Sequence, residues 1–211
     1  MENKALCQQT IEYRHACKTF CKKKIISDED IHFILDAGRL APSSFGQEGW
    51  KFLVITNKEL KEKLRPVCWN QAQIVTCSHL VVILAAIEDL RPQSGVVQQR
   101  FARRRLPKEQ EEAYIKRYSE FLAAEIADDE KMFAWSAKQT YLAAMQMMLA
   151  AASLEIDSCP IEGFEREKVE EILSIDPKRY RVSLILPFGY KIYPQSKHLR
   201  RDFDEVVEFI N

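Results

Sequence analysis

The sequence predicts an α+β or α/β domain, and three observations predict it. Short β-branched apolar runs recur at Lys51–Thr56, His79–Ile87 and Tyr180–Tyr190, each reading as a strand. Charged segments with apolar residues at helical spacing lie between them. No internal repeat or low-complexity linker divides the 211 residues, and a hydrophobic content of 46% is enough for one sizeable core.

Met1 to about Tyr13 reads as a helix. A second helix starts at Ser27, a capping residue followed by the acidic Asp28, Glu29 and Asp30, and places Ile31, Ile34, Leu35 and Leu40 on one face. Pro42 ends it. Lys51–Thr56 and His79–Ile87 read as buried strands, with one helical stretch from Asn57 to Val75 between them. The polar segment that follows, at about residues 88–128, reads as a helical insertion. From Tyr141 to Leu154 the chain carries no charge, so that helix needs protein on every side, as a core element or at a subunit interface. Tyr180–Tyr190 is the third strong strand, closed by Pro187 and Gly189, and a polar tail follows it.

Charge narrows the partners. Lys plus Arg and Asp plus Glu stand at 31 each, so no net field draws the chain to nucleic acid or an anionic membrane. Arg100, Arg103, Arg104 and Arg105 form a basic cluster. Glu109, Glu111 and Glu112 crowd it and no stacking aromatics interleave, so it reads as a solvated helical face. The start of the chain lacks the apolar core of a signal peptide, and a cytoplasmic address is expected. The 6 cysteines are scattered without a C-x-x-C pair and read mostly as free thiols. His15, Cys17 and Cys21 lie close together, yet no second ligand pair completes a zinc set, so no metal is expected.

Three separated stretches carry groups suited to an anionic, planar ligand. Arg14, His15 and Lys18 follow the first helix, and Arg can grip a phosphate bidentately while Lys acts as a point charge. Pro42, Ser43, Ser44 and Gly46 offer hydroxyls and backbone that a ligand can approach. Pro160, Ile161, Glu162 and Gly163 stand between a short Cys-containing segment and a charged helix. Neither G-x-G-x-x-G nor G-x-x-x-x-G-K-[ST] occurs, which removes the usual dinucleotide and triphosphate cradles.

Taken in order, R-H-x-x-K-x-F at Arg14–Phe20, A-P-S-S at Ala41–Ser44, W-x-x-K-Q-x-Y at Trp135–Tyr141 and P-I-E-G-F at Pro160–Phe164 resemble the nitroreductase family of FMN-dependent oxidoreductases. The resemblance runs from about Thr10 to Val207. It implies an α+β fold, a three-layer α-β-α sandwich around a central mixed sheet, built as one domain over residues 1–211 with the 88–128 insertion covering the active site. It implies a homodimer joined through long helices, with FMN at the interface and NAD(P)H as co-substrate. Arg14, His15 and Lys18 would hold the phosphate, ribityl and pyrimidine side, with Ala16 where a Ser is usual. Pro42, Ser43, Ser44 and Gly46 would approach from the partner subunit, while Asn70, Gln73 and Gln139 would add polar contacts. Pro160, Ile161, Glu162 and Gly163 would run along the ring system, and the tail would return Arg200, with Lys197 or His198 beside it, to the phosphate.

The resemblance also implies a ping-pong cycle with nitroaromatic or quinone-type acceptors. Lys18 would stabilise charge on the reduced cofactor. The main-chain amides of Glu162 and Gly163, rather than the Glu162 carboxylate, would serve the reacting edge. Gly163 is expected to let the chain pass close to the ring. Other readings stand beside this one: a pterin or halogenated aromatic as acceptor, or a non-catalytic flavin-binding redox sensor. The sensor would use Cys17 or Cys159, with Arg14 and Lys18 lowering the Cys17 pKa if that thiol is exposed.

Overall fold

The computed structural model describes residues 2–210. Eight α-helices surround a four-stranded sheet of order β1-β2-β4-β3. In chain order these are α1 (Glu2–Tyr13), α2 (Asp28–Arg39), β1 (Trp50–Ile55), α3 (Lys58–Val67), α4 (Ala72–Thr76), β2 (His79–Ala86), α5 (Val96–Ala102), α6 (Lys108–Glu125), α7 (Asp129–Ser153), β3 (Asp157–Ser158), α8 (Arg166–Ile172) and β4 (Tyr180–Gly189). The three strand pairings are antiparallel, so the sheet is antiparallel where a mixed one was expected; a parallel bridge between Ala16 and Ser158 stands isolated from these ladders.

Strand alternation builds the layers. Val81, Ile83, Leu184, Leu186 and Phe188 face α2 and α7, packing on Ile31, Ile34, Ala144, Met147 and Ala151. Leu80, Val82, Leu84, Val182 and Ile185 face the other way, onto Leu64 of α3, Ile74 of α4 and Val169 of α8. An irregularity between Ile83 and Leu84 leaves Ser183 unpaired in the ladder, and its hydroxyl meets that of Thr140 on α7 at 2.8 Å. At Gly38 an added Cβ would lie 2.1 Å from the Met147 methyl, so the missing side chain sets how closely α2 and α7 approach. A third cluster, with Phe101, Tyr118, Leu122 and Phe133, holds the 88–128 segment against the end of the sheet.

Several expectations change. Ser27 does cap α2, its hydroxyl accepting from the Asp30 N–H at 3.1 Å, but Leu40 is 63% exposed and sits past the helix end. β1 is an edge strand and mostly half-buried, whereas β2 is buried throughout, because β2 alone of the pair has neighbours on both sides. The stretch from Asn57 to Val75 is two helices. It breaks where Trp69 and Asn70 both take left-handed backbone, each with φ of 54°. β4 runs through Pro187 and ends at Gly189, within the expected bounds. α7 buries a stripe running from Met132 to Ala152, yet Tyr141, Leu142 and Met145 on its other side remain 41%, 45% and 39% exposed within the protomer.

Candidate active site

The segment leaving α1 and the segment leaving β4 converge. Arg14, His15 and Ala16 form a cleft of about 410 Å³ with Ser196, Lys197, His198, Leu199 and Arg200. A smaller cavity of about 150 Å³ adjoins it, lined by His15, Cys17, Lys18, Lys191, Tyr193 and Ser196 among others. Arg14, Lys18, Lys197 and Arg200 make no ion pair with any carboxylate among the described residues. Arg14, Lys197 and Arg200 line the cleft and Lys18 lines the adjoining cavity, a set of charges suited to an anion.

Buried Asp157 organises this junction. Its Oδ2 accepts from the Lys191 N–H at 2.8 Å, its Oδ1 from the Lys191 ammonium at 3.3 Å, and His15 Nδ1 lies 3.7 Å away. The Lys191 ammonium also sits 4.0 Å from the centre of the Tyr13 ring. Desolvation holds the His15 pKa below its ordinary value, so the ring is neutral at neutral pH. Neither Asp157 nor Lys191 stood out in the sequence. Asp157 is the third residue before Pro160, and Lys191 follows Gly189, so the only sequence signal was proximity to motifs already marked.

Cys159 joins this cleft to the Pro160–Gly163 segment. The Lys18 ammonium donates to its sulfur at 3.6 Å, and the Gln73 amide approaches it at 3.9 Å. Gln73 is only 3% exposed and also donates to Gln71 Oε1 at 2.9 Å, so it supports the site from beneath. Cys17 is buried rather than exposed, and desolvation pushes its thiol up to about 11. Burial raises Cys159 as well. Both thiols therefore stay protonated at neutral pH, and the sensor reading loses the reactive thiolate it needs.

Beyond Cys159, Ile161 exchanges two main-chain hydrogen bonds with Ile185 of β4, at 2.9 and 3.1 Å. The Glu162 carboxylate accepts from the Tyr141 hydroxyl at 2.6 Å, and the Gly163 carbonyl accepts from the Gln71 amide at 2.8 Å. The Glu162 and Gly163 N–H groups donate to no other described residue. At Gly163 an added Cβ would stand 2.6 Å from the Trp69 indole, so the glycine makes room for this chain's own aromatic ring.

Pro42, Ser43, Ser44 and Gly46 line neither cavity. Ser43 Oγ accepts from the Glu48 N–H at 2.8 Å, and the Ser44 N–H donates to Gln139 Oε1 at 2.9 Å. The basic cluster of α5 is not simply solvated: Arg103 forms a two-pronged pair with Glu48 at 3.1 and 3.2 Å, and Arg104 donates to the Phe45 carbonyl at 2.6 Å. Asn70 is exposed and lies at the α3–α4 break, apart from this loop. No hydrogen bond or ion pair among the described residues ties the Pro42–Gly46 loop to Arg14 or Lys18.

A model of the nitroreductase family matches residues 11–190. The chain belongs to the nitroreductase family. Among its relatives is a Haemophilus influenzae protein provisionally named an NAD(P)H nitroreductase, 41% identical over 214 residues that cover 96% of this chain and 97% of that one. The nitroreductase fold is equally plain in space. A Bacillus subtilis protein provisionally titled nitroreductase YdfN superposes with a TM-score of 0.87 at 22% identity, covering 98% of this chain and 100% of its own. A provisionally titled nitroreductase of Exiguobacterium sibiricum, solved in complex with FMN, superposes with a TM-score of 0.82 at 22% identity, covering 96% of both chains. The family and these names all denote oxidoreductases.

Proposed function

We propose that the protein is an FMN-dependent oxidoreductase that takes hydride from NAD(P)H and reduces nitroaromatic or quinone-type acceptors, working as a homodimer. One observation carries the reading: around Cys159, cations without carboxylate partners meet main-chain donors without acceptors. Such a surface suits a planar ligand with a phosphate at one end and ring carbonyls at the other. The FMN complex of the structural neighbour and the NAD(P)H in the relatives' names support the cofactor and the co-substrate.

Arg14, His15, Lys197 and Arg200 would hold the phosphate and ribityl side of FMN. Lys18 would face the pyrimidine side, and Pro160, Ile161, Glu162 and Gly163 would run along the ring. Pro42, Ser43, Ser44 and Gly46 would approach from the second protomer, which fits a loop with no bond to Arg14 or Lys18 of its own chain. Gln139 would act by holding that loop through Ser44, and Gln73 by supporting Gln71. Asn70 would contribute from the α3–α4 break.

FMN held by these residues would supply the two-electron hydride chemistry. The chain supplies position and charge. Lys18 would hold a positive charge near the negative charge that reduction develops, and the unpartnered Glu162 and Gly163 amides would offer donors to the ring. Arg103 and Arg104 fasten α5 to the Phe45–Glu48 turn, so the 88–128 insertion would cover the site as one body with that loop.

The test is spectroscopic. The purified protein should be yellow and should bleach anaerobically when NADH or NADPH is added. A colourless protein that also fails to bind added FMN would overturn the proposal.

A further inference from the structure

We infer that Tyr141 is a positioning residue that fixes the direction of the Glu162 and Gly163 main chain. Its consequence for the reaction rests on the function proposed above; its geometry does not. Three pins hold this short segment, each on a different element. Ile161 is locked to β4 through its paired main-chain bonds, the Gly163 carbonyl is held by Gln71 ahead of α4, and the Glu162 carboxylate is held by Tyr141 of α7.

The pins are asymmetric in a useful way. Every one of them restrains the segment without using the Glu162 or Gly163 N–H, so both donors stay available. Remove Tyr141 and the Glu162 side chain loses its only hydrogen-bond partner among the described residues, leaving the loop fixed at its ends but free to twist between them. A released carboxylate could also turn toward the site and oppose the accumulation of negative charge there. Burial places the Tyr141 hydroxyl well above the usual phenol range, so it remains a donor throughout the working pH range.

The experiment compares Tyr141→Phe, Glu162→Ala and the double variant. In protein stripped of cofactor, hydrogen exchange at the bonded amides of Ile161, Phe164 and Glu165 should quicken by about tenfold in both single variants. In FMN-loaded protein the flavin midpoint potential should fall and anaerobic reduction by NAD(P)H should slow by about tenfold. The double variant should be no worse than either single one, because each change breaks the same bond. Wild-type exchange and potential in Tyr141→Phe, or fully additive losses in the double variant, would overturn the inference. If the protein binds no FMN the proposed function falls, while the exchange experiment still decides whether Tyr141 pins the loop.

Discussion

Lys18 reaches over a protonated thiol with no carboxylate to neutralise it, so its charge remains available to a ligand. Lys18→Ala should retain some FMN but slow its reduction by roughly a hundredfold, about 3 kcal/mol, as measured by stopped-flow mixing with NAD(P)H. At Gly163 a valine collides with the Trp69 indole, an overpacking that costs about 1–3 kcal/mol. Glu162→Gln, by contrast, keeps an oxygen that can accept from Tyr141. Thermal unfolding and FMN titration should therefore rank Gly163→Val as the more damaging change. The sequence led to Glu162 and Gly163 through the P-I-E-G-F run, but not to the reason for the glycine. Trp69 meets it through a left-handed turn that no local hydrophobic pattern encodes. The roles of Asp157 and Lys191, and that of Tyr141 at the end of the W-x-x-K-Q-x-Y run, escaped for a related reason: each acts through a partner far along the chain, and periodicity reports only near neighbours.

Elements with strong periodicity were the legible ones. β2 reads as a continuous apolar run because both faces and both edges are covered, and α2 reads from its cap and its acidic first turn. The 88–128 segment read poorly because its packing rests on aromatics spread over α5, α6 and α7 and on arginines that look solvated in sequence. Its base is tied down by Asp89. Burial pushes the Asp89 carboxyl up, but hydrogen bonds from Tyr180 and Arg179 outweigh this and hold it below the usual carboxylate value. A carboxylate depressed on folding contributes fully above its unfolded pKa of about 3.9, and that contribution is lost as pH falls through the lower folded value. Asp89→Asn should remove this acid-dependent component, so the variant's stability should change less than the wild type's between about pH 5 and pH 2 in urea unfolding.

On the scale of the whole molecule, α1, α2 and α7 each carry exposed apolar side chains. Tyr141, Leu142 and Met145 of α7, Leu6 and Ile11 of α1 and Phe33 of α2 are all at least 39% exposed in the protomer. A second copy is the occupant that the proposed function requires. Light scattering after size exclusion should give a dimer, and Leu142→Glu should yield monomer with weakened FMN binding; a monomeric wild type at micromolar concentration would contradict the arrangement. The junction at Asp157 has a bearing on biosynthesis. The cleft takes Arg14, His15 and Ala16 from one end of the fold and residues 196–200 from the other, with Lys191 bonded between them. A nascent chain therefore carries one wall of this cleft once Arg14–Ala16 have emerged, and on the proposed function it would complete the phosphate-holding surface only when residue 200 has cleared the ribosome.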